Sequence, residues 1–398
     1  MPDLDFQIFD GDNHYYEAED AFIRHIDPKM KRRCMQWAEV NGRKSLLVAG
    51  KVNRFIPNPT FDPVARPGCL DQYYRGNNPG GKSIKEVFGE LEPIRLEYRD
   101  RDARLKRMDA QGVAKALYFP TLGVGMEEAL THDTPAVHAA FEAFNRWLED
   151  DWGYAYQERI FASPYITLQD RDRGIAELER VLKVGARAIV MRPAPIHSES
   201  GYRSPADGYY DPFWARVNEA GISVVYHGGD SGYSKYLNDW GENTQSVESF
   251  KSSPLGGIVA GTRAPFDLMA ALISHKLFTR FPNLRIASIE MGSNWVPWLF
   301  QSLKRTFGQS PGSFDGDPRD TFRRHIWISP FHEDDVPELR DLIGADRMIM
   351  GSDFPHAEGL AEPTDYVHEL EGFSQSEVRA IMRDNAESLI ELRPSGAA

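Results

Sequence analysis

Asp12 and His14 stand two residues apart at the end of the segment Phe6-Gln7-Ile8-Phe9. His227 closes Val224-Val225-Tyr226, Glu290 closes Ile286-Ala287-Ser288-Ile289, and Asp353 and His356 follow Arg347-Met348-Ile349-Met350. Each is an ionisable group at the mouth of a segment that reads as a buried strand. An acid in that position is costly unless a metal, a cation or several hydrogen bonds compensate it. Carboxylate and imidazole from separate strands make a mixed oxygen and nitrogen set for a divalent ion such as zinc or manganese. Asp12, His14, His227 and Asp353 are therefore expected to hold one divalent metal, Zn2+ before Mn2+. Such an ion lowers the pKa of a bound water and offers an open position to substrate.

Taken singly, each residue also has a structural reading. A lone histidine is more often hydrogen-bonded than ligating. Asp353 reads as a turn residue bonded to its own backbone, and His356, behind Pro355, as a loop brace. His332 precedes Glu333-Asp334-Asp335, which looks like the acidic first turn of a helix. Glu290 reads as a partner of Arg192, and Trp295 and Trp298 read as core. The case for a site rests on their joint placement, which depends on the elements that carry them.

The first strand runs from Phe6, and with a period of two Asp10, Asp12 and His14 project to one side. Residues from about 28 to 98 have weak periodicity and many prolines, with a small hairpin expected over 44–48 and 54–56. From residue 100 strands and helices alternate. Strands are expected at 113–120, 160–167, 186–191, 222–227, 284–290, 325–329 and 347–350. Helices are expected at 100–111, 135–152, 170–184, 211–220, 265–278, 295–307, 334–343, 364–370 and 375–392. Eight strands, each followed by a helix, demand a parallel sheet with helical crossovers and suggest a closed (β/α)8 TIM barrel. The chain then forms a single domain, 1–398, with insertions after strands 1 and 5, at about 28–98 and 228–261. A Gly-rich dinucleotide fingerprint is missing after the first strand. The C-terminal strand ends of such a barrel meet at one mouth. Those ends carry Asp12, His14, Arg192, His227, Glu290, Asp353 and His356, with His332 just beyond the seventh.

The 398 residues carry a net charge of -13, which argues against nucleic acid and anionic membranes as partners. The two cysteines, Cys34 and Cys69, suggest no disulfide framework. No apolar run approaches a membrane span. The N-terminus shows no basic and apolar leader, so a cytoplasmic protein is expected. A small-molecule substrate and a homodimer complete the expectation about partners.

On these residues the chain resembles the amidohydrolase superfamily. More narrowly, it resembles the amidohydrolase-related family of aminocarboxymuconate semialdehyde decarboxylase and the resorcylate-type decarboxylases. The motifs are Asp12-Asn13-His14, His227-Gly228-Gly229, Phe281-Pro282-Asn283-Leu284 leading to Glu290-Met291-Gly292, and Gly351-Ser352-Asp353-Phe354-Pro355-His356. The resemblance spans nearly the whole chain and implies a barrel with one catalytic divalent ion on Asp12, His14, His227 and Asp353. Family members place His or Glu where Asp12 stands. They carry a catalytic His near the sixth strand end, where this chain has Glu290. Arg192 occupies the region where a bridging Lys would serve a two-metal site, so one metal is expected.

Two enzyme readings share this site. A carboxy-lyase would remove CO2 from an aromatic or unsaturated carboxylate held by Arg192 or Arg66, with Asp353 moving the proton. A hydrolase would use Asp353 as general base and Glu290 or His356 to pass the proton on. The alternative is a non-catalytic metal barrel that binds a ligand. Phe55, Phe61, Tyr73, Tyr74, Tyr233, Tyr236 and Trp240 in the insertions would suit a planar or apolar ligand.

Overall fold

The computed structural model describes residues 4–198, 201–242, 248–250 and 253–394. The first three residues, residues 199–200, parts of the second insertion and the last four residues lie outside it. Among the described residues no helix is long and apolar enough to cross a membrane.

The first strand, Ile8–Tyr15, is buried along its whole length. A parallel strand covered on both faces must be built this way, because helices pack on one side and the barrel interior on the other. It pairs with Val113–Pro120, which pairs with Ile160–Ala162. Tyr165 bridges to Val190 and carries the ladder on to Ala188–Met191. Ser223–His227, Ile286–Ile289 and Ile326–Ile328 follow in parallel order. Ile328 then bridges Met348, and Phe354 bridges Asn13 on the first strand. All these links are parallel, and they close a (β/α)8 barrel of the expected class.

The eighth strand is less regular than its apolar sequence suggests. It is tied by the Ile349 N–H to the Ile328 carbonyl and by the Gly11 N–H to the Met350 carbonyl. A 3-10 turn, Ala345–Arg347, uses up the start of the expected strand. The third strand shortens to Ile160–Ala162, with Pro164 interrupting the ladder.

Side chains set several helix starts. Asp100 accepts from the Ala103 N–H and opens Arg101–Gln111. Asp170 does the same for Arg171–Val184, and Asp335 for Val336–Ile343. The helix expected from Pro265 instead runs Pro254–Ser274, because Ser253 caps it and Pro254 fills the first turn. Pro265 lies inside it. Pro363–Leu370 is a 3-10 helix, and the last helical stretch is broken by a π-turn at Ala380–Asp384. The hairpin expected over 44–48 and 54–56 is not formed; Arg43–Val48 pairs instead with Met35–Val40 and with Lys51–Val52. Residues 54–56 are not a strand; Phe55 turns inward instead. Trp295 is core, but Trp298 is 51% exposed and stacks on Phe266.

The first and eighth strands approach so closely that Gly351 has no room for a side chain. A Cβ there would lie 2.5 Å from Asp12 Cβ and 2.7 Å from Ser329 Oγ. The Gly351→Ala variant should therefore lose about 1–3 kcal/mol of stability. A melting temperature equal to wild type would contradict this packing.

Candidate active site

The period-two expectation for the first strand fails at one residue. A register irregularity falls between Asp10 and Asn13, and such a bulge re-aims side chains. Asp12 and His14 reach the mouth, while Asp10 turns into the wall. Its carboxylate accepts from the Ser352 N–H at 3.0 Å, the Ser352 hydroxyl at 2.5 Å and the Asn13 amide at 2.7 Å. Asn13 in turn accepts from the buried Arg104 at 2.5 Å, which also donates to the His14 carbonyl at 2.9 Å. Asp10 is thus the clamp between the first and eighth strands. Burial outweighs its hydrogen bonds and pushes its pKa up to about 6.

At the mouth, one ligating atom each of Asp12, His14, His227 and Glu290 lies within 4.8 Å of the others, and so do those of His14, Glu290, Asp353 and His356. His14 Nε2 is 3.3 Å from Asp12 Oδ1, from Glu290 Oε2 and from Asp353 Oδ1. His227 Nε2 is 3.3 Å from Asp12 Oδ1 and 3.1 Å from Glu290 Oε2. Those spacings are long for charge-assisted hydrogen bonds. They match the ligand-to-ligand edges, roughly 3.0–3.4 Å, of a polyhedron around an ion bonded at about 2.1 Å. Neither nitrogen of the buried His14 ring has a hydrogen-bond partner among the described residues. His227 Nδ1 lies 3.0 Å from the Gly228 carbonyl, so it carries the proton and leaves a lone pair on Nε2. The residues fit a single divalent ion.

The electrostatics point the same way. His14 is pushed up to about 10: burial opposes its charge, but Asp12 and Glu290 outweigh burial. Burial alone would raise Asp12, yet its contacts with His14 and His227 hold it below the usual carboxylate range. Asp353 is raised well above that range by burial and then by Glu290, Glu358 and Asp12. Burial and neighbouring His14 lower His356.

Glu290 and Asp353 also share an unusual backbone, with φ of 53° and 55°. A non-glycine residue in this region costs about 1–2 kcal/mol, and such residues collect at functional sites. Gly228 accommodates the turn at Glu290, since a Cβ there would stand 2.3 Å from the Glu290 carbonyl oxygen.

Asp353 Oδ1 and His356 Nδ1 approach to 2.6 Å. Thr121 gives its single hydroxyl proton to the Tyr15 carbonyl at 2.8 Å, so His356 Nε2, 2.9 Å from Thr121 Oγ1, must be the donor there. A neutral His356 then turns a lone pair toward Asp353. Two lone pairs cannot sit this close without a proton or a cation between them. The raised Asp353 and lowered His356 are consistent with a proton held on the carboxyl side.

Other expected residues lie elsewhere. Arg192 donates to Glu128 at 2.6 Å and is not paired with Glu290. Neither Arg192 nor Arg66 lines the cavity above the site. His332 sits 2.8 Å from Asp71 and ties the first insertion to the barrel. Phe55, Phe61 and Tyr74 line the cavity, whereas Trp240 is 78% exposed and the Tyr233 hydroxyl donates to Asp267. Glu17, Thr121 and Glu358 escaped the sequence reading. Glu17 accepts from the Leu122 and Gly123 N–H groups and supports the loop that carries Thr121. Glu358 carries the one signal that was available, an acid two residues past His356.

Residues 94–392 match the amidohydrolase family, and the chain belongs to it. It is a metal-dependent enzyme of that family. An amidohydrolase of Mycobacterium avium subsp. paratuberculosis K-10 is 43% identical, with 98% of this chain and 99% of that one covered and a TM-score of 0.93. A 2,6-dihydroxybenzoate decarboxylase, solved with 2,6-dihydroxybenzoate, is 19% identical over 80% of this chain and 94% of that one, at a TM-score of 0.58. The dihydroxybenzoic acid decarboxylase of Polaromonas sp. JS666, solved with manganese and 2-nitroresorcinol, is 17% identical over 81% and 93%, at 0.55. These two distant likenesses concern the fold. No curated protein gives a significant match.

Metal uptake by this cluster should release protons. His14, raised to about 10, is charged at neutral pH in the metal-free protein and must lose its proton to ligate. Zinc affinity should therefore rise about tenfold per pH unit for each proton displaced between pH 6 and 8, and fall toward acid. Calorimetry in buffers of different ionisation heat measures the release. A pH-independent affinity would remove His14 from the ligand set.

Proposed function

We propose that the chain catalyses hydrolysis or decarboxylation of a small aromatic or unsaturated carboxylate-type substrate at a mononuclear divalent metal. The convergence of Asp12, His14, His227 and Glu290 at 3.1–3.3 Å carries this reading. We assign these four as ligands, with Asp353 beside His14 able to join them. Zinc ranks first, and manganese is what the Polaromonas enzyme holds. When bound, the ion supplies Lewis-acid polarisation of a substrate oxygen.

The protein's own groups do the rest. Asp353 Oδ1 holds a proton within 2.6 Å of His356 Nδ1, so the pair can give and recover one proton during a turnover. Thr121 fixes the His356 ring from behind. In a carboxy-lyase the proton goes to the carbon that loses CO2. In a hydrolase the same pair, having first released its proton, takes one from water and returns it to the leaving group. The apolar walls above exclude bulk water and strengthen each charge interaction. Arg192 is committed to Glu128, so the metal is left as the main partner of a substrate carboxylate.

A homodimer and a cytoplasmic setting belong to the same proposal. Exposed Trp240, Ile258 and Trp298 support the first, and the acidic charge with two free thiols supports the second.

A panel of aromatic carboxylates and esters, scored for CO2 release against ordinary hydrolysis on metal-loaded protein, tests the reaction. With any substrate so found, Asp353→Asn should keep its melting temperature and metal but lose about 10²–10⁴-fold in turnover. Unchanged turnover would remove Asp353 from proton transfer.

A further inference from the structure

Of the four assigned ligands, Asp12, His14 and His227 lie within strands, whereas Glu290 stands one residue beyond Ile286–Ile289. The barrel ladder fixes the backbone of the first three. Glu290 instead takes a left-handed backbone, with φ of 53°. A strained residue of this kind persists only where its surroundings over-determine it.

Those surroundings are found in the turn that follows. Gly292 is also left-handed, with φ of 58°, and its carbonyl accepts from the Trp295 indole N–H at 2.9 Å. A Cβ on Gly292 would stand 2.8 Å from the Phe331 ring, so the turn lies tight against the loop after the seventh strand. Asp334 in that loop closes the contact. Its Oδ2 accepts from the Ser293 N–H at 2.6 Å, from the Ser293 hydroxyl at 3.0 Å and from the Phe331 N–H at 3.0 Å. One carboxylate oxygen thus takes three hydrogen bonds and ties the Glu290 turn to its neighbour. The adjacent Asp335 caps the helix Val336–Ile343 through the Glu338 N–H, and that cap leaves Asp334 to the turn.

We propose, resting on the metal-dependent reading above, that Asp334 is a positioning residue that holds Glu290 in the ligand cluster. It acts through Ser293, three residues past Glu290. Without it the turn relaxes from its left-handed conformation, and Glu290 Oε2 withdraws from His227 and His14, which it now approaches to 3.1 and 3.3 Å. Groups that orient a ligand in this way change metal affinity by about 10–100-fold. The role is geometric: an asparagine oxygen in the same place can accept the same three bonds.

Cobalt(II) titrated into metal-free protein, followed by calorimetry and visible absorption, tests this. Asp334→Ala should bind cobalt about tenfold or more weakly than wild type, with a visible spectrum shifted toward that of Glu290→Ala. Asp334→Asn should stay within about threefold of wild type. In a Glu290→Ala background, Asp334→Ala should cost less than about threefold further, because the ligand it positions is already gone. Wild-type affinity in Asp334→Ala, the same loss repeated in the Glu290→Ala background, or Asp334→Asn as weak as Asp334→Ala would overturn the proposal. If Asp334→Ala does not fold, Gly292→Ala displaces the same turn from Phe331 and takes its place in the cycle, with the same two expectations. Folded wild type that takes up no cobalt overturns the metal-dependent reading and this inference with it; cobalt bound normally by folded Asp334→Ala overturns the inference alone.

Discussion

Three carboxylates and two imidazoles share one buried point, and that crowding organises the rest of the molecule. Asp12, Glu290 and Asp353 each stand 3.3 Å from the same nitrogen of His14. Carboxylates gathered around one imidazole in a low-dielectric setting repel one another unless a cation or protons intervene. A barrel can impose such an arrangement because its strand ends converge and its ladder fixes each backbone position. The cost is met by packing elsewhere, in a core that spans the barrel and its helices.

The support behind the cluster is as specific as the cluster. Asp10 binds both first-strand and eighth-strand groups, and Arg104 holds Asn13 and the His14 carbonyl. Left-handed backbone at Glu290 and Asp353 aims two acids inward. Ligand orientation of this kind comes from groups that never touch the ion. In the proposed function the strand ends would present ligands and Asp353 and His356 would hold the proton, beneath a chamber lined by Phe55, Phe61 and Tyr74.

Much of this was legible in the sequence. Apolar runs ending in His or an acid located the strand ends, and their alternation with helices gave the barrel. Of the four residues expected to hold metal, Asp12, His14 and His227 fall in one group with Glu290, whereas Asp353 groups with His14, Glu290 and His356. Other features were not legible because they depend on contacts between distant segments. Asp10 looked equivalent to Asp12 until the bulge separated them. Glu290 was expected to move protons, but its reach into the ligand cluster depends on a backbone angle that no propensity reveals. Arg192 stood at a strand end and faced Glu128 instead of the mouth. Glu358 and Thr121 became visible once the His356 loop was in place.

The proposed chemistry requires an ion at the meeting point of these strands. The most direct measurement is anomalous diffraction at the manganese edge from a crystal of manganese-loaded protein. One peak is predicted, about 2.0–2.3 Å from His14 Nε2, His227 Nε2 and the nearer carboxylate oxygens of Asp12 and Glu290. No peak within reach of these atoms, in protein that binds manganese elsewhere or not at all, would contradict it.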